Sequence, residues 1–372
     1  MLRGGSMEEN KKFGSKGFKI FIIIFLTLSM FLLKEENQDK LINFINSISG
    51  KEKVLELVNS FKNNGDIQNI NIYDKTIVKW SNNKISFMKI DGTPILEKEF
   101  NFTEPYISYG DKYIYVADKS TGDIYCLDKN GETKDRLQLN KEIFNLKESH
   151  ENLIYHIKSP DTENIKIIDK DGALILNQSY EGENILTYNI NNQGNLSAIS
   201  SLSLNGEILK SKIDCYGENN KKLSSIDIES EIIIYLDFTV KDDIIALSDR
   251  SLYFIKEGKT IWEKQFDLIK DIYLGRDKIY ILYSNYLEII GFDGKSEKKI
   301  SFTDDYKKIL PFQGGFLIYG DNKIVIIEGN KEILKHEDNI IRISTNKDQI
   351  LLWGPEEIKI YKILSKNKVK NV

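Results

Sequence analysis

An apolar strand, a glycine turn and a charged, alternating strand recur as one phrase seven times along this chain. The copies are "ISFMKIDGTPILEKEF", "IYCLDKNGETKDRLQL", "IKIIDKDGALILNQSY", "SKIDCYGENNKKLSSIDI", "LYFIKEGKTIWEKQF", "LEIIGFDGKSEKKISF" and "IVIIEGNKEILKHE". Their turn glycines, Gly92, Gly131, Gly172, Gly217, Gly258, Gly294 and Gly329, follow one another at intervals of 35 to 45 residues. A repeat of this size marks a stacked or circular architecture, and four-stranded propeller blades run at roughly 40–50 residues each. The glycine has a steric reason: a tight hairpin needs positive φ at its tip, which Gly adopts without a Cβ clash. Asp91-Gly92, Asn130-Gly131, Asp171-Gly172 and Asp293-Gly294 therefore read as hairpin turns.

Each unit carries a further strand pair before the turn. In the second unit "YISYG" leads to "KYIYVAD", then "DIYCLD", then "TKDRLQL". The second strand is apolar almost throughout, as in Tyr113 to Ala117, Ile279 to Tyr283, Phe316 to Tyr319 and Ile350 to Trp353. Such runs suit strands buried on both faces, as central strands between neighbouring blades are. The last strand alternates apolar and charged residues, as an outer, half-exposed strand should. A β-sandwich would not repeat one four-strand phrase over so long a stretch, and a β-helix has shorter repeats. The expected fold is all-β: a β-propeller of about eight four-stranded blades over residues 65–364, followed by a tail at 365–372. The last unit, "IIRIST…QILLWG…IKIYKIL", has no clear fourth strand. An open ring leaves unpaired edges, so such a blade is normally completed from the other end of the chain. No donor strand is evident there, which keeps seven blades with an irregular extra hairpin as the alternative count.

The N-terminal region has a different character. Residues 1–16 form a basic tail with Lys11, Lys12 and Lys16, and "GFKIFIIIFLTLSMFLL" follows over 17–33 without an acidic residue. The positive flank favours a cytoplasmic N-terminus with the bulk of the chain outside. The uncharged core, Ile20 to Leu33, is short for a membrane-crossing helix and falls within the length of a signal-peptide core. Lys19 and Lys34 extend the span by snorkelling. No small-x-small cleavage site follows it, so an uncleaved single-pass signal anchor is expected over removal. Residues 34–64 show helical spacing: Leu41, Phe44, Ile45 and Ile48 on one face, then Val54, Leu55, Val58 and Phe61 on another. These predict a short helical stalk, or a helix packed on the end of the propeller.

The formal net charge is −4, with charges of both signs interspersed, so no basic stripe supports nucleic-acid binding. Cys126 and Cys215 fall on third strands of different units with a whole unit between them, which predicts buried thiols and not a disulfide. His150, His156 and His336 are the only histidines, and the "HENLIYH" spacing matches no zinc pattern. "DKDG" at Asp169–Gly172 resembles the start of a calcium loop, but its twelfth position is Tyr180 where a bidentate Glu is required. No G-x-S-x-G elbow, P-loop or H-E-x-x-H occurs. The residues thus name no catalytic, cofactor-binding or metal site and no cofactor, and binding residues stay unassigned.

"YIYVADKSTGDIYCLDKNGE" and "LYFIKEGKTIWEKQF" resemble the repeat of pyrroloquinoline-quinone-type (PQQ-like) propellers, in which an apolar strand, an Asp-x-x-x-Gly turn, a second strand and a Gly turn precede a tryptophan docked between blades. Trp262 stands where that tryptophan would, whereas Ile95, Leu174, Lys295 and Glu332 lie near the corresponding place in other units. The quinone enzymes of that family carry a vicinal disulfide and a calcium site, which this sequence lacks, so the resemblance implies the fold and not dehydrogenase activity. The whole chain also resembles uncharacterised single-pass membrane propellers of clostridia-like bacteria. The expectation is a membrane-anchored, extracytoplasmic binding or scaffold module of the cell envelope with a protein or glycan partner. The alternative is an envelope enzyme with its site in the central channel, which rests on analogy of fold alone.

Overall fold

Strands that are apolar on both faces must be covered on both sides, and the chain meets this demand by standing its sheets around an axis. The computed structural model describes residues 53–205, 208–312, 315–329 and 331–365. They form eight four-stranded antiparallel sheets arranged as the blades of a propeller. Blades 1 to 7 run in chain order from inner to outer strand: 67–99, 105–138, 143–181, 184–229, 233–265, 269–301 and 308–337. Blade 8 takes its inner three strands from Arg342–Asn346, Gln349–Trp353 and Glu357–Ser365.

The outer strand of blade 8 is Lys53–Lys62, paired antiparallel from Lys53 opposite Ser365 to Lys62 opposite Glu357. The ring is closed by the N-terminal strand, and the count is eight. This corrects the expected helical stalk at 34–64 over its second half, and it moves the start of the propeller from residue 65 to residue 53. The spacing of Val54, Leu55, Val58 and Phe61 fits a helix locally, but a bulge between Leu57 and Asn59 lets the same residues serve a strand. Leu55 then packs against the core between blades 7 and 8, and Phe61 against the core between blades 8 and 1. The exposed edge of Glu357–Ser365 offers a row of unpaired N–H and C=O groups, and pairing with it outweighs a weak local preference. The basic tail, the expected anchor and residues 34–52 of the stalk lie outside the described residues. Among the described residues no helix is long and apolar enough to cross a membrane.

Eight apolar clusters fill the eight junctions between blades. Between blades 1 and 2, for example, Val78, Trp80, Ile85 and Phe87 meet Ile114, Val116 and Leu127. Cys126 and Cys215 are buried and unbridged. The turns at Gly92, Gly131, Gly172 and Gly294 share one form, in which the glycine N–H bonds back three residues and the glycine holds φ between +81° and +87°. Gly217 departs from the expectation: it sits at φ −105°, and the left-handed positions of its turn are taken by Asn219 and Asn220. At Gly294 the turn has a second task. A Cβ there would stand 3.1 Å from the Trp262 ring of the preceding blade, so the missing side chain is what lets that ring dock.

This topology defines two faces. One carries the loops that cross from the outer strand of a blade to the inner strand of the next, together with the hairpins between second and third strands; it is called here the crossover face. The opposite face carries the remaining turns, and the described chain enters there at Lys53, opposite Ser365. It is the entry face.

Candidate interaction face

The inner strands of blades 1, 3, 4, 5 and 6 begin with the same irregularity. Their pairing to the second strand slips by one residue, leaving Gln68, Phe144, Leu186, Ile234 and Lys270 as the extra residue of a bulge. A bulge breaks the alternation and re-aims one side chain. The flanking apolar residues stay buried, as Ile143 and Leu146 do in blade 3 and Ile233 and Leu236 in blade 5. In blades 3, 4 and 5 the extra residue turns outward instead. Phe144 is 49% exposed, Leu186 36% and Ile234 54%. Three successive blades thus present an apolar side chain at equivalent places beside the mouth of the central channel on the crossover face.

More apolar surface lies on the same face. The second and third strands of blade 4, Ser197–Asn205 and Ile208–Tyr216, overrun the inner strand, whose first residue Asn184 pairs with Leu202. The overhanging hairpin carries Leu204, 72% exposed, beside exposed Ile208. Leu268, 76% exposed, precedes the inner strand of blade 6 with φ +53°. A bulky residue in the left-handed region is strained, and such strain persists only where surrounding bonds enforce it. Here the Ser284 N–H donates to the Leu268 carbonyl at 3.0 Å. Ile341, ahead of the inner strand of blade 8, is exposed as well.

Phe144 sits in the most elaborated part of this arc. The Lys119 and Lys158 ammonium groups each lie 5.3 Å from its ring centre. The His156 ring meets it edge-on at 4.8 Å and meets Tyr188 at 5.5 Å. His156 Nε2 is 2.9 Å from Glu163 Oε2, and that oxygen also accepts the Ile185 N–H at 2.8 Å. Lys158 Nζ is 2.5 Å from Glu163 Oε1. Burial favours neutral His156 and outweighs the pull of Glu163, so its pKa is lowered. Burial also raises the Glu163 pKa, but the Lys158, Ile185 and His156 contacts outweigh it and leave the carboxyl below its ordinary value. His156 is therefore a neutral donor to a carboxylate, a prop under Phe144. His150 lies in the turn at the other end of the same hairpin, so the structure does not bring the two histidines together.

Around the central channel, bonds join the inner strands of adjacent blades. Tyr109 donates to Asn69, Tyr106 to Asn145, Ser149 to Asn189 and Asn189 to Asp237, at 2.7 to 3.0 Å. Lys147 donates to the Tyr188 carbonyl at 2.5 Å, and burial, against the pull of Asp237, lowers its pKa to about 8. These groups satisfy one another and hold the inner strands together.

Two clefts remain. One of about 660 Å³ lies between blades 1 and 2 on the crossover face, lined by Phe100, Phe102, Asp118 and Tyr125 among others. Its Asp118 carboxylate is occupied by the Thr103 and Glu104 N–H groups and by Ser120. The other, about 340 Å³, lies between blades 2 and 3 on the entry face and is lined by Tyr115, Cys126 and Glu148. Tyr115 donates to Glu148 at 2.7 Å, and burial with Asp135 and Glu148 nearby pushes the Cys126 thiol up to about 12. A thiol of that kind is no nucleophile at neutral pH. Asp169, at the calcium-like sequence, and Asp128, in the equivalent turn of blade 2, each use Oδ1 to accept two N–H groups of their own turn. No cluster of three or more His, Cys, Asp or Glu among the described residues is arranged to hold a metal ion.

Trp262 lies where the repeat places it. It stacks on Phe254 at 5.7 Å, packs over Gly294 and donates its indole N–H to the Phe292 carbonyl at 2.9 Å, so it bridges blades 5 and 6. The bulge residues, by contrast, were not singled out from the sequence. Their signal is an Ile-x-x-apolar spacing at the head of the inner strand, as in "IFNL", "ILTY" and "IIYL", where strict alternation would give Ile-x-apolar.

Fold and face together define an eight-bladed β-propeller with an apolar arc on its crossover face. Solved structures share that fold. BamB from Moraxella catarrhalis is 12% identical, with a TM-score of 0.56 over 83% of this chain and 100% of that one. Saccharomyces cerevisiae Sqt1 is also 12% identical, with a TM-score of 0.60 over 82% and 98%. The C-terminal WD40 domain of Sif2 reaches 0.60 over 84% and 99%, again at 12% identity. The chain itself belongs to DUF5711, a family of unknown function whose model matches residues 50–363. No curated protein matches it.

Proposed function

We propose that this protein is a membrane-anchored, extracytoplasmic binding module of the cell envelope that docks a protein partner on its crossover face. The observation that carries the reading is the arc of Phe144, Leu186 and Ile234, three exposed apolar side chains raised at equivalent bulges of adjacent blades. Exposed apolar clusters rimmed by polar residues mark interaction sites, and a bulge re-aims a single side chain. The anchor rests on the apolar stretch at 17–33 and the lysines before it. The entry of the propeller at Lys53 agrees with it, because a tether on the entry face leaves the crossover face directed away from the bilayer. The PQQ-like character of the repeat rests on the docked Trp262.

The test is site-specific photocrosslinking in intact cells. A photoreactive residue at position 186 should yield one discrete adduct, lost with Ile234→Asp, while the same residue at position 174 on the entry-face side should yield none. Equal labelling at both positions, or none at 186, refutes the reading. The anchor is tested separately with protease on wall-stripped cells. The propeller should be digested, and a protected propeller or a mature N-terminus beyond Leu33 overturns the topology.

A further inference from the structure

The arc has a charge at one end. Lys119 follows the buried second strand of blade 2, and its carbonyl accepts the Ile143 N–H at 2.7 Å, which holds it beside Phe144. Its ammonium lies against two rings, 5.3 Å from Phe144 and 5.6 Å from Tyr106. Among the described residues no carboxylate lies within ion-pair distance of it, whereas neighbouring Lys158 is already matched by Glu163. Lys141 stands two residues before Ile143 on the same loop. Acids also lie on the loops of this face: Asp161 on the hairpin of blade 3 itself, and Asp249, Asp304 and Asp305, which are matched by Arg250, Lys323, Lys335 and Lys270. An unmatched ammonium against aromatic surface is a place where an incoming carboxylate meets a cation in partly water-excluded surroundings, which strengthens the pair.

We infer that the arc takes a polypeptide segment of the partner that presents an Asp or Glu to Lys119 and successive apolar side chains to Phe144, Leu186 and Ile234. This rests on the reading that the crossover face binds protein, and it adds the chemistry of the partner. Lys119 draws the carboxylate to the Phe144 end of the arc, which sets the direction of the segment. The apolar side chains supply affinity, because equivalent bulges on adjacent blades offer them a row of matching contacts. The overhanging hairpin with Leu204 and Ile208 flanks the row on blade 4.

A random linear peptide library panned against the full-length protein in lipid nanodiscs tests this. Enriched peptides should share an acidic residue beside an apolar run. Lys119→Glu should reverse the charge preference toward Lys or Arg, and Leu186→Ser or Ile234→Ser should each weaken binding about tenfold. Those side chains are exposed, so the variants should melt as the parent does. No enrichment, peptides without an acidic residue, or peptides indifferent to Lys119→Glu overturn the inference. So does binding of heparin, a polyanionic glycan, that is lost in Lys119→Glu while peptides fail to bind. If the crosslink at position 186 persists while the peptide result fails, the docking face stands and only the partner chemistry falls.

Discussion

Replacing Lys147 by methionine should stabilise the propeller at neutral pH and cease to do so in alkali. The ammonium stands at the channel wall, bonded to the Tyr188 carbonyl at 2.5 Å and 4.9 Å from the Tyr188 ring centre. Burial lowers its pKa from 10.5 to about 8, with Asp237 opposing the shift. A lowered lysine pKa means that the charged form is penalised in the folded state. Below pH 8 both folded and unfolded chains hold the proton, and the folded chain bears the whole penalty. Between about 8 and 10.5 the unfolded chain keeps a proton that the folded chain has released, so stability rises with pH across that window. The difference of about 2.5 between the two pKa values corresponds to roughly 3 kcal/mol. Methionine keeps the apolar stem, removes the charge and gives up one hydrogen bond of roughly 1 kcal/mol. Lys147→Met should therefore be more stable by roughly 2 kcal/mol at pH 7, and the advantage should vanish and reverse slightly once the pH passes 10.5. Urea unfolding of both proteins from pH 7 to pH 11, followed by tryptophan fluorescence, measures the difference while other titrating groups cancel. A difference that does not change with pH, or a variant less stable at pH 7, refutes the reasoning.

Trp262→Ala should lower stability by about 3 kcal/mol, the low end for a tryptophan because the ring is only partly buried. It should lower the melting temperature and leave the crosslink at position 186 intact; unchanged stability with a lost crosslink would make Trp262 a site residue. Removing residues 1–62 deletes the closing strand and bares the edge of Glu357–Ser365, so the product should be insoluble or should melt without cooperativity. A sharply melting, soluble truncation would show that blade 8 closes the ring with three strands.

Much of the architecture could be read from local residue patterns. The repeat, the turns at Gly92, Gly131, Gly172 and Gly294, and the docking of Trp262 all depend on residues close together in the chain or on the period of the repeat. Hairpin chemistry acts over a few residues, and alternation reports the burial of each strand directly. Where the local signal was mixed, the reading failed. Gly217 looked like the other turn glycines, yet Asn219 and Asn220 tolerate the left-handed region and took the turn instead. The site was less legible still. Phe144, Leu186 and Ile234 resemble core residues in composition, and only a slip in the alternation distinguishes them.

By itself, the sequence determined that this chain builds a ring of about eight β-blades, because each unit writes out its own hairpins and its own buried strands. Tertiary structure alone decided how the ring closes and what its surface offers. The strand Lys53–Lys62 has no strong conformation of its own and acquires one from an edge at the far end of the chain. The apolar arc exists only because bulges in blades 3, 4 and 5 come to lie side by side around one axis. Both outcomes are set by pairing between distant segments, whose energy appears only once the blades are assembled.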